Sequence, residues 1–510
     1  MAITTDDIKR VAKKYLSDNY LALYIEKGKP DKNAKIEKPG YKPVEPPAGK
    51  ESLYATQFKN LPIGQMEEKF ANYGEVQIKQ LNERSKMYYT PNKENNVFQL
   101  IVQYGVGERE FPKLGYAAQL MNNAGIMGAY EPQELKEELS KLNATCHVTA
   151  DDDNLYIIME GYEATLPQVC QLLSRQILMP KLDEKQLARL KGSAMGMRQQ
   201  RKDNVSILNE ALRQYMLYGE KSDYIKELTD KEIYELQISE LTGDINRASN
   251  YEAKVFFTGT LPFEQVYDIL SKNLPLVANE RPSNSPQAKE MMPVTENTVY
   301  FLPNNDAEQA QIHLYIPMQK TDKKDDVLRS AFNQYFGLDF TGIVLNEIRE
   351  KRSMAYTAYA FVGTQGIAGK ASYLRGYIGT QNDKANDALD VLMGLVNDMP
   401  KNPERIDNIK SYLRQAMLTS HPSFRNKAME LVGLGHRGYT DDPAKENLPK
   451  IDVLTFEDIV KFYEENIKGK PYCISIMGNP KNIDLKRLEK FGKVVKLNER
   501  KLFNTKDALF

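Results

Sequence analysis

Arg349 and Tyr356 are the two residues of this chain whose types and spacing best suit chemistry. They stand in Asn346-Glu347-Ile348-Arg349-Glu350-Lys351-Arg352-Ser353-Met354-Ala355-Tyr356. A helical run over 325–351 ends there in a charged turn and gives way to an extended, aromatic stretch over 355–361. A guanidinium presents five donors in a fixed fork and a phenol presents one hydroxyl. Placed at a helix-to-strand corner, the two suit a peptide carbonyl or a developing oxyanion. The same residue types also suit a plain helix end, where basic side chains meet the negative pole of the dipole. Arg352 lies in the same turn and competes with Arg349 for the role.

Other chemistry is sparse. The four histidines, His147, His313, His421 and His436, have no second histidine three to five residues away. Cys146 and His147 are neighbours on a predicted strand and so face opposite sides, which keeps them off one metal ion. Asp151, Asp152 and Asp153 read as a solvated turn between strands, and His313 as an ordinary sheet residue. His436 sits among Gly433, Gly435 and Gly438, without the strand–glycine–helix context of a phosphate site. The three cysteines, Cys146, Cys170 and Cys473, are too far apart in sequence for a metal knuckle or a disulfide framework. No Ser/His/Asp or Cys/His spacing stands out.

The elements that must position Arg349 and Tyr356 form a repeat. The chain has 510 residues, too many for one core. Lys and Arg number 69 and Asp and Glu 69, so no basic field points to nucleic acid. No apolar run is long enough for a membrane span. Thr455 caps a helix that leads into a strand over 472–478. The same cap–helix–strand unit occurs at 4–25, and more weakly at 238–259, with Gly28, Gly259 and Gly478 at matching places. A period of this size means duplicated domains. The first full domain spans 72–275, with strands at 75–78, 86–89, 97–102, 144–150 and 154–160, and helices at 113–123, 131–142, 164–178, 183–218 and 262–273. The second spans 296–510, with strands at 297–302, 310–317, 355–362 and 371–379, a long helix at 325–351, and helices at 382–398, 403–419 and 423–435. The expected class is α+β, with each domain a mixed or antiparallel sheet and helices packed on one face. Residues 276–295 read as the linker between them. Residues 31–71, rich in proline and lysine, read as a strap. Residues 1–30 read as the closing unit of an upstream domain that is not present.

Taken together, the element order, the duplicated domain and the Arg349–Tyr356 corner resemble the pitrilysin/insulinase-type zinc metallopeptidases, the inverzincins. The stretch from Glu131-Pro132-Gln133-Glu134-Leu135 through Asn143-Ala144-Thr145 to Asn154-Leu155-Tyr156 resembles the family's first domain after its active-site helix. Members are built from two halves of two domains each, closing around a peptide. The active half carries H-x-x-E-H on a helix and a later glutamate. The matching stretch here is Gln119-Leu120-Met121-Asn122-Asn123, and no glutamate lies between Glu184 and Glu210. Amides bind zinc poorly and do not serve as the base.

The resemblance therefore implies the zinc-less C-terminal half of a single-chain bacterial member. It implies no cofactor in this chain, zinc in a partner half that is upstream or a separate subunit, and a peptide substrate. In the family an arginine and a tyrosine seven residues apart reach the substrate from the zinc-less half, which implies that role for Arg349 and Tyr356. The chain alone is expected to be inactive. The alternative within the same fold is a peptide-binding or structural subunit without catalysis. Bacterial members are often exported, so the resemblance points to an extracytoplasmic, periplasmic location, although the sequence itself does not fix the compartment.

Overall fold

The computed structural model describes residues 3–506 other than 17, 27, 29–51, 63–66, 202–203, 277–278 and 339. It divides into two units, Met1–Gln65 and Met66–Phe510.

In the smaller unit the helix Thr5–Tyr15 forms; of the two threonines the sequence offers as its cap, Thr4 or Thr5, it is Thr4 that caps, through a reciprocal box with Asp7. Its apolar stripe is solvent-exposed, with Ile8 at 62% and Tyr15 at 69%. The strand expected at 21–25 does not form. Leu21, Leu23 and Ile25 lie exposed in a stretch without secondary structure, because an extended segment without a neighbouring strand has no partner for its backbone groups. The segment read as a strap carries one short helix, Leu53–Lys59, capped by Ser52. Pro30, Pro39, Pro43, Pro46 and Pro47 lie outside the described residues.

The larger unit holds two six-stranded sheets that share a five-strand topology and differ in the sixth, an edge strand that opens the first body antiparallel to its neighbour and closes the second parallel to its own. The first comprises β1 (Gln77–Gln80), β2 (Lys86–Pro91), β3 (Val97–Tyr104), β4 (Thr145–Ala150), β5 (Leu155–Tyr162) and β6 (Ala253–Gly259), in the order β1-β2-β6-β3-β5-β4. The second comprises β7 (Thr298–Pro303), β8 (Gln309–Lys320), β9 (Ala355–Gly363), β10 (Ala371–Gln381), β11 (Cys473–Gly478) and β12 (Lys493–Lys496), in the order β9-β10-β8-β11-β7-β12. In each, the strand of the closing unit enters the middle of the sheet. β6 pairs antiparallel with β3 and parallel with β2, and β11 pairs antiparallel with β8 and parallel with β7. The short edge strand β12 and the helix Pro443–Val453 were not among the expected elements.

Alternation along the strands assigns the faces. Phe98, Leu100, Val102 and Tyr104 of β3 enter the first core with helix residues such as Leu114, Val169 and Leu241. Ile312, Leu314 and Ile316 of β8 enter the second with Phe332, Leu389 and Ile459. Helices thus cover one face of each sheet, as expected.

The opposite faces are served by exchange. Leu208, Ala211 and Leu212 of the helix Val205–Tyr218, from the first body, pack on Leu302 and Met477 of the second sheet. Ala428 of the helix Lys427–His436, from the second body, packs with Val76, Ile101 and Phe256 of the first sheet. The predicted helix over 183–218 is two helices, Glu184–Gln200 and Val205–Tyr218. The break falls where Asn204 accepts hydrogen bonds from the amides of Ser206 and Ile207 and caps the second. The linker at 276–295 is tied to the first body by hydrogen bonds that include Glu252 N–H to the Arg281 carbonyl and Asn284 N–H to the Gly105 carbonyl. No helix among the described residues is long and apolar enough to cross a membrane.

Candidate functional site

The corner that carries Arg349 and Tyr356 departs from regular structure three times in eleven residues. The expected helix over 325–351 instead stops at Phe336. Gly337 follows, where a Cβ would stand 2.9 Å from the Val344 Cβ and 3.2 Å from the Ala360 nitrogen. That closeness lets the Gly337 carbonyl accept from Ala360 N–H at 3.0 Å, so the loop closes against edge strand β9. Only glycine permits this approach. The chain resumes as a short buried turn, Ile343–Leu345, and then winds as a π-turn over Asn346–Glu350. Ser353 next adopts φ +49°, a left-handed conformation that costs a non-glycine residue about 1 kcal/mol. Finally the β9–β10 register slips at Tyr356. Ala355 faces Thr380 and Thr357 faces Gly379, which leaves Tyr356 as the extra residue of a bulge. π-turns, left-handed residues and bulges re-aim side chains and gather at functional positions. The corner is braced by buried Ile348 and by the Thr380 hydroxyl, which donates to the Met354 carbonyl at 2.5 Å.

The bracing delivers an exposed pair. Tyr356 is 78% exposed, and its hydroxyl has no hydrogen-bond partner among the described residues. The Arg349 guanidinium lies 4.8 Å from the centre of the Tyr356 ring and 5.7 Å from that of Phe340, so it is held between two aromatic faces. Its one ion pair among the described residues is to Glu350, at 3.3 Å. Arg352 is committed elsewhere and donates to both the carbonyl and the carboxylate of Glu347, at 2.7 and 2.5 Å. Lys351 donates to the other Glu347 oxygen. Hydrogen bonds from Lys351 and then Arg352 hold the Glu347 carboxyl below its usual range. This distinguishes the two arginines, which the sequence left in competition: Glu347 ties Arg352 down, and Arg349 stays with the tyrosine. Phe340 was missed in the sequence reading. Its only signal is an aromatic residue in a loop bounded by Gly337 and Gly342.

The stretch that corresponds to the zinc motif serves structure. Asn122 follows the helix Leu114–Met121 and pegs edge strand β4. Its amide nitrogen donates to the Val148 carbonyl at 2.9 Å, and its oxygen accepts from Val148 N–H at 2.7 Å. Asn123 accepts from Lys136, and Leu120 and Met121 are buried. In the region where the later glutamate would stand, Arg198 pairs with Asp230 at 2.7 Å and with Glu227 at 3.4 Å. Amides committed to backbone and a guanidinium do not fit a zinc ion. Among the described residues no three His, Cys, Asp or Glu side chains gather as a metal site.

The histidines are placed separately. His147 is exposed on β4. His313 is buried on β8, with Nε2 2.9 Å from the Asn209 Oδ1, and its pKa is pushed down to about 3 by burial and then by Arg375 and Arg213. Burial and then Lys254 lower the pKa of His436. The acidic triplet is indeed a turn. Asp151 accepts from the amides of Asp153 and Asn154, and Arg109 pairs with Asp152 and Asp153.

With this geometry in place, known proteins can be compared. Residues 249–413 match the family model of the peptidase M16 inactive domain. That segment runs from just before β6, past β10 and into the helix Ile406–Thr419, and contains both Arg349 and Tyr356. The chain resembles the zinc-less half of an M16 peptidase. A peptidase M16 inactive domain from Pseudomonas fluorescens superposes with a TM-score of 0.63 at 17% identity, over 80% of this chain and 99% of that one. The ferredoxin protease FusC, solved as a mutant in complex with Arabidopsis ferredoxin, gives a TM-score of 0.63 at 12% identity, over 94% of this chain and 51% of that one. The periplasmic protease PqqL from Escherichia coli gives 0.56 at 14%, again over 94% of this chain and 51% of that one. The chain therefore spans about half the length of those two proteases. At these identities the likeness establishes the fold. No curated protein matches.

Proposed function

We propose that this chain is the zinc-less half of an M16-type metalloendopeptidase, inactive alone, that supplies chamber wall and substrate contacts to a zinc-bearing partner half. In this reading the Tyr356 hydroxyl donates to the oxyanion of the tetrahedral intermediate, and Arg349 holds the substrate backbone and keeps the Tyr356 ring in place. The observation that carries the reading is the corner itself. A π-turn, a left-handed serine and a bulge all cost local stability, and together they hold an unpaired phenol beside a guanidinium at the surface. A plain helix end requires none of them.

A ferredoxin protease of this fold is solved in complex with ferredoxin, which supports a polypeptide as substrate. The unit at 4–25 repeats the pattern of the closing units at 238–259 and 455–478 and exposes its apolar stripe. This supports a sheet of the partner half as the place where that unit docks.

The test is peptide cleavage by this chain mixed with the zinc-bearing half. Tyr356→Phe should lower kcat roughly 100- to 1000-fold, the cost typical of removing one oxyanion donor. An unchanged rate would refute the assigned role and leave a peptide-holding or structural subunit.

A further inference from the structure

The uncovered part of the second sheet's outer face carries a charge that nothing among the described residues neutralises. The register sets two rows of side chains across this face. Ser475, His313, Tyr377 and Tyr359 stand in one row, and Cys473, Tyr315, Arg375 and Phe361 in the next. The helix Val205–Tyr218 covers the end nearer β11, where Met216 and Leu217 pack with Tyr315 and Cys473. The end nearer edge strand β9 holds Tyr359, Phe361, Arg375 and Tyr377, all half-buried. Tyr359 packs on Phe361 at 5.9 Å and on Tyr377 at 5.2 Å, making an aromatic wall.

Arg375 sits in that wall without a counter-ion among the described residues. Its one hydrogen bond is a long one, 3.5 Å, to the Tyr359 hydroxyl, and its Nε is buried with no partner. Glu210 on the covering helix is near enough for its charge to interact with Arg375, but Arg213 holds it in a two-point fork. A guanidinium part-removed from water with an unfilled donor loses free energy that an incoming carboxylate would restore.

We propose that Arg375, walled by Tyr359, Phe361 and Tyr377, is a subsite for a carboxylate of an extended peptide. The inference rests on the proposed function and names the substrate feature that the face selects. Arg375 lies opposite Phe361 in register, five residues along β9 from Tyr356. At about 3.3 Å per strand residue that is roughly 16 Å. An extended peptide whose backbone is held at Tyr356 therefore brings an Asp or Glu about five residues away onto Arg375. The aromatic wall receives the neighbouring apolar side chain.

Two sets of labelled, C-terminally amidated peptides, identical but for one Glu or Gln, are titrated against the full chain by fluorescence anisotropy. A third peptide carries Gln and a free C-terminal carboxylate at the same position, which separates a side-chain acid from a chain terminus. The Glu peptide should bind about tenfold tighter than its Gln twin, the low end for a charge-assisted hydrogen bond at a half-buried site. Arg375→Gln should abolish the preference, and Arg375→Lys, which keeps the charge but not the fork, should retain part of it. Equal affinities, a preference that survives Arg375→Gln, or binding of neither peptide would overturn the proposal. The catalytic reading is judged separately. A flat Glu/Gln ratio beside Tyr356-dependent cleavage overturns this subsite alone, and a Glu preference beside Tyr356-independent cleavage overturns the oxyanion role alone.

Discussion

Replacing Asn122 by alanine tests directly whether the position matched to the metal motif is a strut. The side chain makes two hydrogen bonds to the backbone of Val148, at 2.9 and 2.7 Å, and Val148 is 3% exposed. Each bond contributes about 1 kcal/mol net, and an orphaned buried backbone group costs about 1–3 kcal/mol unless water reaches it. The sum is about 2–4 kcal/mol, felt first where edge strand β4 opens. Native-state hydrogen exchange reads that opening residue by residue. The Val148 amide should exchange roughly 30- to 900-fold faster in Asn122→Ala, and urea unfolding should report a loss of the same order. Asn122→Asp is the sharper control. It keeps the acceptor for Val148 N–H but turns an oxygen toward the Val148 carbonyl, so it should be no better than alanine. Gln119→Ala, on the exposed side of the same helix, should stay within about 0.5 kcal/mol. If Asn122→Ala exchanges at Val148 within about threefold of the wild type and unfolds within about 0.5 kcal/mol of it, the strut reading is wrong.

The other predictions concern the corner, its loop and one buried acid. Arg349→Ala should lower cleavage by the reconstituted enzyme at least about tenfold without measurable loss of stability, whereas Arg352→Ala should cost at most about 1 kcal/mol and leave the rate within about threefold. Gly337→Ala forces a Cβ to 2.9 Å from Val344 and should destabilise by about 1–3 kcal/mol in urea titration. Burial, and then Asp152, Asp151 and Asp223, raise the Glu108 pKa from 4.5 to about 7. The native state therefore holds this proton more tightly than the unfolded chain does. That stabilisation is complete below about pH 4.5 and is lost as pH rises through about 7. Glu108→Gln should match the wild type near pH 5 and exceed its stability by on the order of 1–3 kcal/mol at pH 8, read by denaturation at the two pH values.

What was legible in the sequence follows from which interactions are local. Thr4 and Thr455 announced their helices because a capping box is a four-residue device, and both boxes form. The apolar, β-branched run over 97–102 gave β3, whereas its inward face of Phe98, Leu100, Val102 and Tyr104 emerged only in the packed sheet. The long helix over 325–351 failed because Gly337 ends it through a contact with Ala360, more than twenty residues away. The helix Pro443–Val453 was not expected; it carries one proline in its first turn, where the missing N–H costs nothing, and a second, Pro449, within it. Arg349 and Tyr356 could be named from their spacing. The bulge that frees Tyr356 could not, since a register slip exists only between two strands. Arg375 was invisible for the same reason: its Nε, buried with no partner, is a property of the folded face.

The exchanged helices have a mechanical consequence. Neither sheet keeps a dry second face without the other body's helix, so pulling the two apart would bare Leu302 and Met477 on one side and Ile101 and Phe256 on the other. Separation then costs the burial of two apolar faces, so residues 66–510 hold together as one compact unit. The segment at 276–295, stitched along the first body, is a brace of that unit rather than a loose tether between its halves.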